Sequence, residues 1–319
     1  MTIEALDVVR LIGGLVYLVL GGDMLVRGAL GLARRTSIPP LIIGLTVVAL
    51  GTSAPELVIS VYAAVSGLTD VALGNVVGSN IANILLVLGA PALISPIVAN
   101  ATGLRRQTAF MLAVTVLFVG LSLDGTLSSD EGLLLLGVLV AALFSAYFFG
   151  IEVAGADEVD DAEQLERVLG LPHKLFTAIG FVVAGIVMLP IGADLTVEGA
   201  VSIARSLSIP DVVIASTIVA LGTSLPELST TIIAAFHRSS DIAIGNVVGS
   251  NVLNVLLVAG ASAMLAPLPV AASLIRLDFQ VQVGVALLLL VFVLTRLPIG
   301  RAAGVAMLAG YVGYVAVVL

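Results

Sequence analysis

The sequence predicts an all-α polytopic membrane protein whose ten transmembrane helices form two inverted five-helix repeats. Three observations lead there. Of its 319 residues 60% are hydrophobic and only 11% charged, with a mean hydropathy of +1.22, whereas soluble domains are about half apolar and about a quarter charged. Apolar stretches of about 20 residues, the length a helix needs to cross the hydrocarbon core, recur along the whole chain. The second half of the sequence also repeats the first.

Taken in order, the expected spans are 8–32, 38–66, 71–97, 106–124, 131–150, 174–203, 209–236, 242–266, 275–295 and 300–319. Several exceed a minimal span, which predicts tilt or breaks. The start, with Glu4 and Asp7 before the first apolar run, lacks the basic region of a secretory signal, so that run reads as a retained span. There are no cysteines, which excludes disulfides, zinc–thiolate sites and thiol catalysis. His173 and His237 fall at helix edges without the partner pattern of a metal site. With the N-terminus outside, the cytoplasmic loops hold Arg27, Arg34, Arg35, Arg105, Arg106, Arg167, Lys174, Arg238, Arg296 and Arg301. The opposite face holds Arg10, Arg205 and Arg276. This is the sense of the positive-inside rule, and it places both termini of a multi-pass cytoplasmic-membrane protein outside.

Internal repeats organise the rest. Shifting the sequence by 171 residues aligns Ala33–Ala90 with Ala204–Ala261 without a gap, and 33 of those 58 positions are identical. Upstream, Asp23 falls on Asp194 and Gly28 on Gly199. The expected organisation is a first repeat over 1–151 with its motif at 49–90, a linker over 152–172, and a second repeat over 173–319 with its motif at 220–261. Five spans per repeat is an odd number, so the second repeat starts on the opposite side of the membrane. Inverted repeats with polar residues near the midplane are a signature of secondary transporters. A duplication kept for packing would preserve apolar pattern, yet the polar residues are what match. The linker carries Glu152, Asp157, Glu158, Asp160, Asp161, Glu163 and Glu166 without the glycine turn and ligand spacing of a calcium loop, and reads as a solvated cytoplasmic segment.

The first motif runs Ala49-Leu-Gly-Thr52-Ser53-Ala-Pro55-Glu56, and the second Ala220-Leu-Gly-Thr223-Ser224-Leu-Pro226-Glu227. A carboxylate at mid-span costs about 2.5–3.5 kcal/mol on insertion scales, so an intramembrane acid is a functional candidate by default. Positions 49, 52, 53 and 56 share one helical face, as do 220, 223, 224 and 227. Pro55 offers no N–H to the carbonyl of Gly51, and Pro226 none to that of Gly222. The freed carbonyls need a partner, and a hard cation that prefers oxygen suits them; Thr and Ser hydroxyls at a plain kink are the alternative. The helices that follow read Gly74-Asn75-Val-Val-Gly78-Ser79-Asn80-Ile-Ala-Asn83 and Gly245-Asn246-Val-Val-Gly249-Ser250-Asn251-Val-Leu-Asn254. Ser79 and Asn83, like Ser250 and Asn254, stack one turn apart and can face the glutamates. The glycine pairs let backbones approach closely. Asn75, Asn80, Asn246 and Asn251 read equally as interhelical hydrogen-bond links or caps. Asp23 and Asp194 look buried; proton binding or gating of entry is one reading, and a place near a helix kink with bonds to backbone or Arg, outside the site, is the one adopted.

These two motifs resemble the alpha-repeats of the calcium/cation antiporter superfamily, in particular the short prokaryotic sodium/calcium exchangers, over nearly the whole chain. The resemblance implies exchange of Ca2+ for Na+ by alternating access, with the long first and sixth helices sliding across the others. Carried over by position, Ca2+ ligands are Glu56, Glu227 and the backbone oxygens of Thr52 and Thr223. Na+ ligands are Ala49, Ser53, Glu56, Ser79, Ala220, Ser224, Glu227 and Ser250. Exchangers of this kind commonly carry Asn and Asp at the positions of Asn83 and Asn254, whereas here both are Asn. Two carboxylates balance one Ca2+, two Na+ or two protons, which keeps H+/Ca2+ exchange as the alternative. The ions are cargo and the bilayer is the partner; no cofactor, nucleic acid or obligate protein partner is implied. A channel would pass ions without a counter-ion, and an enzyme would need a Ser-His-Asp or His-rich cluster that these spans lack.

Overall fold

The computed structural model describes residues 5–36, 38–99, 101–149, 171–172, 174–209, 214 and 220–318. The acidic linker, His173 and residues 215–219 lie outside them. Helix α1 is Ala5–Thr36, α2 is Pro40–Ile43, α3 is Ala49–Thr52 and α4 is Ala54–Val65. Then come α5 (Thr69–Ala82), α6 (Gly89–Ile94), α7 (Leu104–Leu121) and α8 (Ser129–Phe149). The second half holds α9 (Leu175–Ser206), α10 (Ala220–Gly222), α11 (Leu225–Phe236) and α12 (Ser240–Leu253). It ends with α13 (Gly260–Leu265), α14 (Phe279–Thr295) and α15 (Arg301–Val318). Wider π-helical turns at Gly44–Val48, Asn83–Val87, Asn254–Ala259 and Leu274–Asp278 join several of these.

The chain is a multi-pass helical membrane protein. Among the described residues seven helices are long and apolar enough to cross a bilayer, or eight if the pair Pro40–Thr52 and Ala54–Val65, bent by 46°, is one broken span. That is fewer than the ten the sequence predicts. The other two expected stretches coincide with α8 and, for 209–236, with α10 and the 12-residue α11. Thr69–Ile94 and Ser240–Leu265 are 72% and 89% buried over their apolar windows, against 11% for Arg301–Val318. The two motif helices are therefore the centre of the bundle, and α15 is its lipid-facing margin. Around them α7 and α14 pack through Phe118 and Phe279, whose rings meet edge to face at 5.6 Å.

Two short antiparallel clips tie the halves together. Strand β1 (Thr126–Leu127) pairs with β2 (Leu268–Pro269), and Ile97 bridges to Ile299 with N–O distances of 3.0 and 2.9 Å. The shift of 171 residues carries Ile97 onto Leu268 and Ile299 onto Ser128, one residue past Leu127, the partner of Leu268, so the clips correspond to within one residue.

The closest helix packing is between α1 and α9, which run antiparallel. Gly14, Gly21 and Gly28 recur every seven residues on α1, and Gly185, Gly192 and Gly199 do so on α9. A Cβ at Gly28 would lie 2.7 Å from the Val182 backbone nitrogen, one at Gly192 2.8 Å from that of Leu18, and one at Gly199 2.6 Å from that of Leu11. Only glycine lets these backbones touch, and without a hydrophobic drive between helices in lipid such van der Waals contact is what holds them. The pair is thereby welded into one body. Gly245 and Gly249 serve α12 in the same way, a Cβ at Gly245 falling 2.7 Å from the Leu41 carbonyl. A Cβ at Gly74 or Gly78 meets nothing within 4 Å; their counterpart partner stretch, 215–219, is outside the described residues.

Gly192→Val should therefore push α1 and α9 apart and destabilise the protein by about 1–3 kcal/mol, the usual cost of overpacking. Gly180→Ala, on the same helix with open space around it, should leave the thermal unfolding midpoint in detergent almost unchanged.

Candidate ion site at two broken helices

Both motifs break where the prolines predict. Helix α3 ends at Thr52, Ser53 takes φ −85° and ψ 5°, and α4 restarts with Pro55 in its first turn. In the second copy α10 ends at Gly222, Ser224 takes φ −86° and ψ 2°, and α11 restarts around Pro226. Each break leaves the carbonyl end of one half-helix beside the amide end of the next. Glu56 and Glu227 sit in the first turns of α4 and α11, where the positive end of the helix dipole favours an anion. The carbonyl ends favour a cation beside them. One geometry thus seats a carboxylate and readies oxygens for its counter-ion.

The predicted stripe faces inward. Ala49, Thr52, Ser53 and Glu56 are buried at 0, 0, 4 and 1%, while Leu50 between them is 54% exposed. Ser224 and Glu227 are buried and Thr223 is half-buried in the break; Ala220 heads α10. Ser79, Ser250, Asn83 and Asn254 are buried on the neighbouring helices, each Asn opening a π-helical turn. Wide turns of this kind are frequent at functional sites because they redirect a side chain.

The polar groups cross between repeats. Ser53 Oγ donates to Glu227 Oε1 at 3.2 Å, and Thr52 Oγ1 donates to Asn246 Oδ1 at 3.1 Å and lies 3.5 Å from Ser250 Oγ. Helix α4 packs on the turn that begins at Asn254, and α11 on the one that begins at Asn83. Asn80 and Asn251 clasp reciprocally, each side-chain amide donating to the other's carbonyl at 3.4 and 3.3 Å, and Asn83 Nδ2 donates to Asn251 Oδ1 at 3.1 Å. Asn75 donates to Ser60 Oγ at 2.9 Å and to the Glu56 carbonyl at 3.3 Å. Its counterpart Asn246 donates to Thr231 Oγ1 at 3.3 Å, and Thr231 in turn bonds the Glu227 carbonyl at 2.7 Å. The four asparagines are therefore interhelical links, one of the two roles the sequence leaves open.

What stays unpaired is equally specific. Among the described residues, Oε2 of Glu56 and of Glu227, Ser224 Oγ, Asn83 Oδ1 and both amide atoms of Asn254 are buried without a hydrogen-bond partner. A buried polar atom without a partner costs about 1–3 kcal/mol, more if charged. With Asn80 Oδ1 they make seven atoms from the two motifs, six of them oxygens, while Ser262 Oγ and the two amide atoms of Gln282 are unpartnered outside the motifs. Such a donor set fits hard cations.

Two expectations need correction. Asp23 is part-exposed, with 27% of its side chain accessible, and holds Arg27 at 2.8 Å as well as His237; Asp194 is exposed. Neither is a buried acid. Sequence reading overlooked two buried acids, Asp7 at 5% exposure and Asp278 at 6%, the second of which accepts from Tyr314 Oη at 2.6 Å. An acid followed by Gln282 inside an apolar span was the available signal. Ser60 and Thr231 were also missed, because a hydroxyl in a membrane helix reads as one that bonds its own backbone.

The sequence profile described as "Sodium/calcium exchanger protein" matches residues 6–149 and 177–319. The chain belongs to this family. It is therefore a member of the calcium/cation antiporter superfamily. The CaxA protein of Alkalimonas amylolytica is 39% identical, covering 94% of this chain and 95% of its own length. The sodium/calcium exchanger MaX1 of Methanosarcina acetivorans is 34% identical over 95% and 96% of the two chains. A solved structure of the sodium-calcium exchanger NCX_Mj, soaked with Na+ and Ca2+, superposes with a TM-score of 0.83 at 32% identity over 98% of both chains.

In this family member, Ser53 holds the one carboxylate oxygen of Glu227 that has a side-chain partner across the repeats. Ser53→Ala removes a charge-assisted bond of about 1.5–3 kcal/mol. Cation affinity, read from a binding isotherm on purified protein, should fall on the order of tenfold or more while the unfolding midpoint moves little.

Proposed function

We propose that the protein is a Na+/Ca2+ antiporter of the cytoplasmic membrane that works by alternating access, with ten spans in two inverted five-helix repeats and both termini outside. The observation that carries this reading is the pair of buried carboxylates at repeat-related breaks, surrounded by oxygens that lack protein partners. In this reading Glu56, Glu227 and the backbone oxygens of Thr52 and Thr223 ligate Ca2+. Ser53, Ser79, Ser224, Ser250 and the carbonyls of Ala49 and Ala220 join the glutamates around Na+. Both ions use the same two carboxylates, so the full sets compete, and competition is what couples their movements. Family membership and the likeness to MaX1 and NCX_Mj, both named as sodium/calcium exchangers, support the choice of ions.

The glycine-welded pair α1–α9 is the natural moving element. It touches the site helices along one flank and lipid along the other, with Leu15, Val19, Val183 and Val187 exposed. Sliding it exposes the broken helices first to one side and then to the other. No enzymatic chemistry and no cofactor enter this scheme.

Asn83 and Asn254 favour keeping a second reading, H+/Ca2+ exchange. With two carboxylates the site is neutral when it holds one Ca2+, two Na+ or two protons, so either counter-ion can complete the cycle. Uptake of radioactive Ca2+ into proteoliposomes separates the two. An outward Na+ gradient at constant pH should drive it; uptake driven only by a pH step selects the second reading. Glu56→Gln or Glu227→Gln should each abolish uptake while leaving the helical circular dichroism unchanged, and near-normal uptake by both would remove the carboxylates from the mechanism. The charge count makes a further demand. Exchange through a site of net charge −2 that is filled to neutrality on both strokes moves no net charge, so a K+ diffusion potential set with valinomycin should leave the uptake rate unaltered.

A further inference from the structure

The repeats are alike in sequence, but the structure is lopsided. Helix α1 packs along α11, whereas its counterpart α9 has almost no contact with α4, the counterpart of α11. The flank of α4 that would receive α9 stands bare, with Val58 68% and Tyr62 69% exposed where their counterparts Ser229 and Ile233 meet Gly22 of α1. The welded pair thus leans toward one repeat.

Two contacts hold it there. Ser229 Oγ donates to the Leu18 carbonyl at 2.6 Å, and His237 Nε2 lies 2.9 Å from Asp23 Oδ1. A carboxylate only accepts, so Nε2 carries the hydrogen. Asp23 is oriented by Arg27, whose Nε is 2.8 Å from Oδ2. The shift of 171 residues maps Ser229 onto Val58, His237 onto Ser66 and Asp23 onto Asp194. If α9 lay on α4 as α1 lies on α11, Val58 would stand where Ser229 stands and offer no hydrogen bond, and Ser66 where His237 stands and take no charge. At the far end of the pair Arg10 lies 3.8 Å from Asp7 and 3.7 Å from Glu198 of α9. Those groups belong to the pair itself and travel with it.

We propose that Asp23, Arg27 and His237 form a proton-operated clasp that positions the α1–α9 pair against α11 and so biases which of its two placements is occupied. The proposal rests on the alternating-access reading for the second placement. Neutral His237 donates one hydrogen bond to Asp23; protonated, it becomes the cationic half of an ion pair, and charge-assisted bonds are about twice as strong as neutral ones. Histidine is the side chain that ordinarily changes charge between pH 5 and 8. The bond to Asp23 is the stronger one when the ring is charged, so the clasped placement gains weight where His237 carries its second proton and loses it where the ring is neutral. The charged groups near His237 are Asp23 and Arg27, then Arg34 and Arg35 further along α1, and Arg238 and Asp241 on the turn and helix that follow. The other segments packed on α11, which are α3, α6 and the turn Asn83–Val87, contain no titratable residue. On α9 the acids Asp194 and Glu198 lie toward the opposite end, as the contact of Glu198 with Arg10 requires.

The chain has no cysteine, so spin labels can be placed singly. With labels at Tyr62→Cys on α4 and Val183→Cys on α9, electron–electron resonance reads their separation. At pH 5.5 the longer distance of this structure should dominate; at pH 8 a shorter population should rise about fivefold relative to it, a factor of the size that about 1 kcal/mol produces. In His237→Gln, which keeps an amide donor but takes no proton, the ratio should no longer respond to pH. In Asp23→Asn the shorter population should be raised at both pH values. A pH response that survives in His237→Gln, or none in the parent, overturns the clasp. The readout needs no transport. A pH-dependent shift in a chain that exchanges no Ca2+ keeps the clasp and sinks the antiport reading, and exchange with an unaltered pH response in His237→Gln does the reverse.

Discussion

Hydrocarbon offers no water to a carboxylate, and everything at the centre of this protein follows from having put two there. Glu56 and Glu227 are buried at 1 and 0%, each at the start of a half-helix whose amide end faces it. The breaks exist because Pro55 and Pro226 cannot continue the backbone ladder, and a broken helix in a membrane persists only where neighbouring groups take up the freed donors and acceptors. Here Ser53 serves the other repeat's glutamate, Asn75 the carbonyl of Glu56, and Thr231 that of Glu227. The second carboxylate oxygen of each glutamate has no protein partner. Charge, break and crossed hydrogen bonds form one arrangement, and removing any member exposes the others to the cost of burial.

The surrounding architecture serves that arrangement by separating what is fixed from what is free to move. The motif helices α5 and α12 are the most buried spans, locked to each other by the reciprocal Asn80–Asn251 bonds at their crossing. The two clips between the repeats lie outside this crossing and keep the halves in register. Most of the closely packed glycines of the α1–α9 pair face inside the pair, while Gly22 lets α1 come close to Ser229 and Ile233 of α11. A body that is tightly packed within itself and weakly bonded to its neighbours can shift as a unit.

Near-identity of the repeats makes any departure from it informative. Ser224 has no partner where Ser53 holds Glu227, and Asn254 is unpaired where Asn83 bonds Asn251. The bonds of α1 to α11 through Ser229 and His237 likewise lack an equivalent between α9 and α4. Inverted repeats would make the two sides of an exchanger energetically equivalent; a handful of unmatched side chains is sufficient to make them differ.

Much of the fold was legible in the sequence because the bilayer imposes a simple code. Long apolar runs must be helices, an acid at mid-span is a candidate for function, and a gapless self-alignment pairs the two motifs. The inward stripe of Ala49, Thr52, Ser53 and Glu56, the breaks at Pro55 and Pro226, and the central position of Asn83 and Asn254 all follow from local pattern. The count of spans was less legible, since a broken helix such as Pro40–Val65 has no uninterrupted axis. Partners were not legible at all. Nothing in the sequence says that Ser53 bonds Glu227 instead of Glu56, that Asp278 is buried under Tyr314, or that His237 meets Asp23, 214 residues away. Periodicity determines which residues face inward; only the packing of one helix on another decides which of them meet.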